Sequence, residues 1–460
     1  MKVTRLGRKY NALITETFDL AEKQYQEHLR NRREPFTLVV KDNFAVENVK
    51  MTCASKMLSN FIAPYTATVV QRLLQKGGCL VGKANLDEFA MGSTNVDSFY
   101  GPVKNPSSTS FIKDDDFYVA GGSSGGCAVA VAEEIARVAI GSDTGGSTRN
   151  PASFVGVVGF KPSYGLVSRA GLVPLANSFD SPSFFTRNVR DCLKFFEMTL
   201  GRDPLDCTSL DAPPPQKGDN YNSGDIDKLR IAIPTEFLEA KISKDCEEKW
   251  KKAIAMLKEL GAYVEAVSLP YTRYSIDCYH ILNESDVFSN MARYDSVRFG
   301  HREEIDNSYE HQLMNSRTQA FNEVVRRRIF AGNYFNLEEN KGRYFIQAAK
   351  IRRLMQKDFE KVFKEFDAIL VPSTSRSAPK ISEIRARTVE ESRSDDFFTQ
   401  SANMCGLPAV SVPFGYSSAE MPLGMQFICG YLQDRKCLAL GKILHKLAEP
   451  NIYNPKLEQD

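Results

Sequence analysis

The chain has 460 residues, 42% of them apolar, enough for one large core or about three average domains. Its 59 lysines and arginines stand against 57 acids, and a net charge of +2 lacks the basic footprint of a protein whose main surface grips nucleic acid. No stretch approaches the roughly 18 uncharged apolar residues that a membrane-spanning helix needs, and the longest apolar run, around Cys127, stops at Glu133.

Ten cysteines are scattered without a C-x-x-C pair, which argues against both a zinc knuckle and a secreted disulfide framework and for buried thiols in a reducing compartment. Five histidines show no H-E-x-x-H or comparable ligand spacing, so no metal is expected.

In chain order, Lys2, Arg5, Arg8 and Lys9 precede the first acid, Glu16, without the apolar segment of a secretory signal. Two readings stand: the remnant of an organellar presequence, or a solvated helix leading into Leu20, Ala21 and Tyr25. Residues 1–35 are expected to form an N-terminal helical arm. Pro35 then introduces a short buried strand, Phe36-Thr37-Leu38-Val39-Val40, that ends in Lys41. A helix over Thr68 to Gln75 and a second strand, Cys79-Leu80-Val81, with Lys83 just beyond, continue a β-α-β pattern. Arg137-Val138-Ala139-Ile140 is a third strand.

Residues 211–228 are rich in Pro, Gly, Asn and Asp and read as surface loop. They divide a catalytic core, 36–205, from a remainder, 230–460, across a linker, 206–229, all within one domain. After the linker comes a strand, Arg230-Ile231-Ala232-Ile233, then a helix capped by Ser243. Asp245, Glu247 and Glu248 fill its first turn, and Cys246, Trp250, Ile254 and Leu257 form its apolar stripe. Gly261 ends that helix and a strand over 263–269 follows. Residues 281–363 are mostly helical and charged, and strands return at 368–372 and 409–413. This alternation predicts a single large α/β domain.

Two glycine-serine clusters, Gly121-Gly122-Ser123-Ser124-Gly125-Gly126 and Gly141-Ser142-Asp143-Thr144-Gly145-Gly146-Ser147, offer backbone N–H groups suited to an oxyanion or a phosphate. Neither has the G-x-x-x-x-G-K-[ST] arrangement of a nucleotide loop. The first matches G-x-S-x-G, but of the later histidines (280, 301, 311 and 445) none sits in a setting that marks it as a base. A neutral lysine is the chemical substitute, and Lys41 and Lys83 both qualify by ending apolar strands. Such a base must lie well below lysine's usual value of about 10.4, which burial at a sheet end achieves.

The run Gly121 to Gly126, the stretch GSDTGGSTRNP from Gly141 to Pro151, and GFKPSYGLVS from Gly159 to Ser168 resemble the amidase signature family. Val40-Lys41-Asp42-Asn43 is similar to that family's lysine-bearing strand end, which selects Lys41. Three further stretches resemble the branch that supplies ammonia within tRNA-dependent amidotransferases: Asn85-Leu86-Asp87-Glu88-Phe89-Ala90-Met91-Gly92, Asn290-Met291-Ala292-Arg293-Tyr294-Asp295 and Pro422-Leu423-Gly424-Met425-Gln426-Phe427.

The resemblance implies an α/β fold with a large central mixed β-sheet covered by helices on both faces. It implies a Ser-cisSer-Lys triad with Ser147 as nucleophile, Ser123 as the bridging serine and Lys41 as base. Backbone amides of Thr144, Gly145 and Gly146 would form the oxyanion hole. Glutamine would be held by Arg328 at its carboxylate, Asp396 at its ammonium group, and Tyr279. No cofactor is expected in this chain. ATP and Mg2+ would belong to a B-type kinase/transamidase partner that carries Glu-tRNA(Gln), beside a small C-like or fungal-specific subunit. A free-standing amide hydrolase and a non-catalytic subunit are the alternatives. One departure stands out: the family's acidic-glutamine-x-glycine-proline stretch is replaced after Asp180 by Ser181-Pro182-Ser183-Phe184-Phe185. With the early arrival of the lysine, this points to an organellar, mitochondrial form resembling the fungal ones.

Overall fold

The computed structural model describes residues 7–107, 116–215, 226–304, 308–388 and 395–448. Among them, eleven strands form one mixed sheet in the order β1-β3-β2-β4-β6-β5-β10-β11-β9-β7-β8. They are β1 (Leu13–Glu16), β2 (Phe36–Lys41), β3 (Gly78–Ala84), β4 (Val138–Asp143), β5 (Val158–Lys161), β6 (Ser181–Thr186), β7 (Arg230–Pro234), β8 (Tyr263–Val267), β9 (Ala368–Pro372), β10 (Ala409–Tyr416) and β11 (Pro422–Cys429). β2 runs parallel to both β3 and β4, and β7 parallel to both β8 and β9; the remaining pairings are antiparallel.

Period-2 alternation divides the strands between two cores. Leu38 and Val40 of β2, Val138 and Ile140 of β4, and Phe184 of β6 enter one cluster; Val39, Ala139 and Phe185 enter another. Helices cover each side. The principal ones are α1 (Phe18–Arg30), α2 (Thr68–Gln75), α3 (Gly125–Ala132), α4 (Arg149–Val155), α5 (Val189–Thr199), α6 (Lys244–Glu259), α7 (Ser275–Met291), α8 (Tyr309–Ala320), α9 (Glu323–Asn336), α10 (Phe345–Val362), α11 (Phe397–Met404) and α12 (Asp434–Leu447). α3 brings Cys127 to Val131 into the second core, and α5 brings Phe195 and Phe196 into the first.

Local chemistry explains the elements that the pattern predicts. Ser243 Oγ accepts the amide of Cys246 at 3.3 Å to cap α6. That helix buries Cys246, Trp250, Ala253 and Leu257, and Trp250 donates its indole N–H to Leu370 O at 3.2 Å. Gly261, at φ +98°, turns the chain out of it.

The N-terminal expectation is corrected in one respect. Its helix is present as α1, but Leu13–Glu16 is a strand on the sheet edge, with Leu13 opposite Ala84 and Glu16 opposite Gly82. Leu13–Glu16 is therefore part of the sheet, and α1 packs Ala21 into the second core rather than standing off as an arm. Part of the expected linker is also anchored. The amide of Leu210 donates to Gly165 O at 2.9 Å and Asp206 accepts the amide of Arg169 at 2.8 Å; residues 216–225 lie outside the described residues.

Candidate active site

The parallel pair β2 and β4 places the two halves of the site side by side. Val40 is opposite Ile140, so Lys41, the last residue of β2, emerges beside Ser142 and Asp143 at the end of β4. Lys41 is fully buried. Its Nζ lies 2.8 Å from Ser123 Oγ and 3.0 Å from Ser142 Oγ, and no carboxylate among the described residues lies within hydrogen-bond reach. Burial, the largest influence, pushes the amine down to about 8 against the opposing pull of Cys127, Asp87, Asp143 and Asp180. Asn43 Nδ2 also donates to Ser142 Oγ, at 3.0 Å. Ser142 is a contact of the lysine that sequence reasoning missed, although it lies inside the second glycine-serine cluster.

Lys83 has different surroundings. Its Nζ donates to Asp42 Oδ1 at 2.8 Å, a fully buried pair, and to Lys50 O at 3.1 Å. Of the two candidate bases, Lys41 alone meets serine hydroxyls.

The Gly122–Ser123 peptide bond is cis. Ser124 turns away, donating to Ser142 O at 3.2 Å, while its amide holds the carbonyl of Ser147 at 3.2 Å. The two serine-bearing loops are thus tied backbone to backbone. Ser147 is partly exposed, the accessibility that an attacking hydroxyl requires.

Beneath the Ser147 loop lies a buried network not anticipated from the sequence, although Asp143 and Arg149 both lie in the stretch that resembles the signature. Asp143 Oδ1 accepts the amide of Gly146 at 2.9 Å, and Oδ2 that of Thr148 at 3.1 Å. Arg149 grips the same carboxylate through Nη2 at 3.0 Å and Nε at 3.1 Å, and reaches Asn403 Oδ1 at 2.6 Å and Gln426 Oε1 at 3.2 Å. Burial alone would raise the Asp143 carboxyl, but Arg149, Lys161 and Asn403 hold it at about 2. This arrangement corrects the expectation for Gly146: its N–H is committed to Asp143 and is not free to meet an oxyanion. The amides of Thr144, Gly145 and Ser147 make no hydrogen bond among the described residues.

Asp180, where the sequence departs from the family pattern, accepts the amides of Leu175 at 2.9 Å and Ala176 at 3.1 Å and the hydroxyl of Thr144 at 2.7 Å. The carboxylate therefore keeps a hold on the loop even though the residues after it form β6.

Tyr279 reaches the same place from α7. A Cβ added to Gly145 would stand 2.7 Å from Tyr279 Cζ and 2.8 Å from its hydroxyl, so glycine is what lets the ring lie against the loop. Arg328 on α9 forms no hydrogen bond or ion pair among the described residues, and Asp396, just before α11, accepts none on its carboxylate. The two charges and Tyr279 lie within electrostatic reach of one another. Burial, followed by neighbouring Asp395, pushes the Asp396 carboxyl up to about 8, with Arg328 opposing. A guanidinium and a carboxyl group that make no side-chain hydrogen bond among the described residues, both within electrostatic reach of the Tyr279 that lies against Gly145, are suited to a zwitterion.

Among the described residues no group of three or more His, Cys, Asp or Glu could hold a metal ion, and no helix is long and apolar enough to cross a membrane. A buried strand-end lysine on a cis-serine loop, with a second glycine-serine loop tied to it on one mixed sheet, is the arrangement of an amide-cleaving class of protein. Residues 2–438 match the family pattern named Amidase, and the chain belongs to that family. It is 44% identical over 474 residues to the A subunit of the mitochondrial glutamyl-tRNA(Gln) amidotransferase of Homo sapiens, with 98% of this chain and 90% of that protein covered. The same subunit of Canis lupus familiaris is 46% identical, over 95% and 87% of the two chains. The solved A subunit of the glutamyl-tRNA(Gln) amidotransferase of Thermotoga maritima superposes with a TM-score of 0.76 at 34% identity, covering 98% of this chain and 89% of that one.

Proposed function

We propose that this chain is the glutaminase subunit of a mitochondrial tRNA-dependent amidotransferase, releasing ammonia for the conversion of Glu-tRNA(Gln) to Gln-tRNA(Gln). The observation that supports this reading most directly is the buried Lys41 amine lying 2.8 Å from Ser123 Oγ and bonded only to hydroxyls. In its neutral form that amine takes the proton of Ser123 as Ser123 takes the proton of Ser147. Ser147 Oγ attacks the carboxamide carbon of glutamine, and the free amides of Thr144, Gly145 and Ser147 receive the oxyanion. Collapse expels ammonia as the proton returns through Ser123. Water then releases glutamate from the acyl-enzyme by the same relay.

Arg328 holds the α-carboxylate, Asp396 the α-ammonium, and Tyr279 closes the wall against Gly145. The near-neutral charge of the chain suits a division of labour in which a B-type kinase/transamidase partner holds the tRNA, ATP and Mg2+, with a small C-like or fungal-specific subunit completing the assembly. No cofactor is assigned to this chain.

The test uses the assembled complex. Ser147→Ala abolishes glutamine-dependent transamidation while ammonia-dependent transamidation survives; equal loss of both overturns the reading. Vigorous hydrolysis of simple amides by the isolated chain would instead favour a free-standing hydrolase.

A further inference from the structure

Glu88 is 2% exposed and forms no ion pair among the described residues. A carboxylate is expensive to bury unless its oxygens are bonded, and here both are: Oε1 accepts the hydroxyl of Ser55, and Oε2 accepts the backbone amide of Asn322 at 2.8 Å. Asn322 is the N-cap of α9, its Oδ1 accepting the amide of Val325 at 2.9 Å. The carboxylate therefore grips the capping residue of the helix that carries Arg328.

The other side of Glu88 leads to the serine loop. Its amide donates to Asp97 O at 2.7 Å, and the same carbonyl accepts Asn322 Nδ2 at 3.4 Å. The amide of Asp97 donates to Asp87 Oδ1 at 3.2 Å, and the amide of Asp87 donates to Ser123 O at 3.3 Å. A continuous hydrogen-bonded path thus runs from the bridging serine to the cap of α9. Phe89 supports it, its ring lying 5.7 Å from that of Phe321.

The helix has a second fixed point. At Gly332 an added Cβ would stand 1.8 Å from Glu284 O, so α9 crosses α7 there in backbone contact. Arg328 lies between this crossing and the cap, about 9 Å along the axis from Asn322. The cap contact at one end and the crossing at the other bracket the segment of α9 that carries Arg328.

We propose that Glu88 is a positioning residue that sets the distance between the substrate-carboxylate arginine, Arg328, and the serine triad by clamping the cap of α9 to the loop behind Ser123. It rests on the reading of Arg328 given above. It makes Glu88 a determinant of preference for amides bearing an α-carboxylate, with no contact to substrate of its own.

The experiment measures KM and kcat for glutamine in the assembled complex, beside acylation of Ser147 by p-nitrophenyl acetate, which has no α-carboxylate. Glu88→Ala is expected to raise KM for glutamine by about tenfold or more while acylation by the acetate stays within about threefold of the unaltered protein, the split that separates positioning from collapse. Glu88→Gln, which can still accept from Asn322 and donate to Ser55 Oγ, stays near the unaltered KM. Arg328→Ala raises KM, and adding Glu88→Ala to it raises KM little further, because both changes remove one contact. If Glu88→Ala does not fold, Glu88→Asp, which withdraws the carboxylate by one methylene, carries the same comparison. A fall in acetate acylation matching the loss with glutamine overturns the proposal. So does an unchanged glutamine KM in Glu88→Ala beside a raised one in Arg328→Ala. An unchanged KM in Arg328→Ala instead strikes the assignment of Arg328 and the inference built on it.

Discussion

Lys41 ends β2 and Lys83 is the last residue but one of the neighbouring parallel strand β3; both are fully buried, yet only Lys83 meets a carboxylate, with its Nζ 2.8 Å from Asp42 Oδ1. Lys41 faces the hydroxyls of Ser123 and Ser142 instead. Without a bonded counter-ion, burial outweighs the more distant pull of Cys127, Asp87, Asp143 and Asp180 on Lys41, and the amine becomes a base rather than half of an ion pair.

Its titration is visible in the rate. Because burial holds Lys41 at about 8, the reactive neutral form grows as pH rises, and kcat for glutamine hydrolysis should climb through that value and level above it. Lys41→Met should lower kcat by about 10²-fold or more and remove this limb. A pH profile of single-turnover acylation measures it, and a limb that persists in Lys41→Met would refute the assignment.

Asp396 should be read in KM. With the site empty, burial and Asp395 keep its carboxyl up at about 8, so it is mostly protonated at neutral pH. The ammonium group of glutamine favours the charged form, so binding at pH 7 should release a proton, and KM should fall as pH rises toward 8. Calorimetry in buffers of different ionisation enthalpy counts that proton. Asp396→Asn should abolish the release and flatten the KM profile while leaving the Lys41 limb in kcat.

Arg149 should matter for stability. It and Asp143 are a fully buried pair, and removing one partner strands the other, at a cost of about 3–5 kcal/mol. Arg149→Met should show that loss in chemical denaturation together with loss of Ser147 acylation, since Asp143 also holds the amides of Gly146 and Thr148. Asp143 sits at about 2, below its ordinary value, so the stability it contributes is complete above about pH 4 and disappears as pH falls through 2. A variant as stable as the parent would show that the network does not hold the loop.

Gly145→Ala tests the wall of the site. Its Cβ would stand 2.7 Å from Tyr279 Cζ, so the loop or the ring must move. Acylation should fall by about tenfold or more at a stability cost of about 1–3 kcal/mol, and adding Tyr279→Ala should restore part of the rate. No recovery in the double variant would place the damage elsewhere.

Much of the architecture was legible locally. The runs at Phe36–Lys41, Ala368–Pro372 and Ala409–Tyr416 are mostly apolar because their strands are almost wholly buried, and Ser243 and Gly261 mark the ends of α6 by the chemistry of helix caps. The strands that escaped notice have reasons of their own. Leu13–Glu16 is an edge strand with no buried residue, and Ser181–Thr186 carries Pro182 and two buried serines, Ser183 bonding the hydroxyl of Thr148, so its apolar pattern is broken.

By itself the order of residues determined the two lysines near strand ends and the two glycine-serine loops, because each is a short-range pattern, while Arg328 and Asp396 were reached only through the resemblance to the amidase family. Only the tertiary structure decided which lysine lacks a carboxylate, that Gly146 spends its amide on Asp143 while Gly145 and Ser147 keep theirs, and that Glu88 reaches the cap of α9. These are facts about partners 82, 3 and 234 residues away, and even the nearest depends on a carboxylate held in place by Arg149, Asn403 and a buried surround. A hydrogen bond and a desolvated charge are set by what lies within a few ångströms in space, which the packing of distant segments settles.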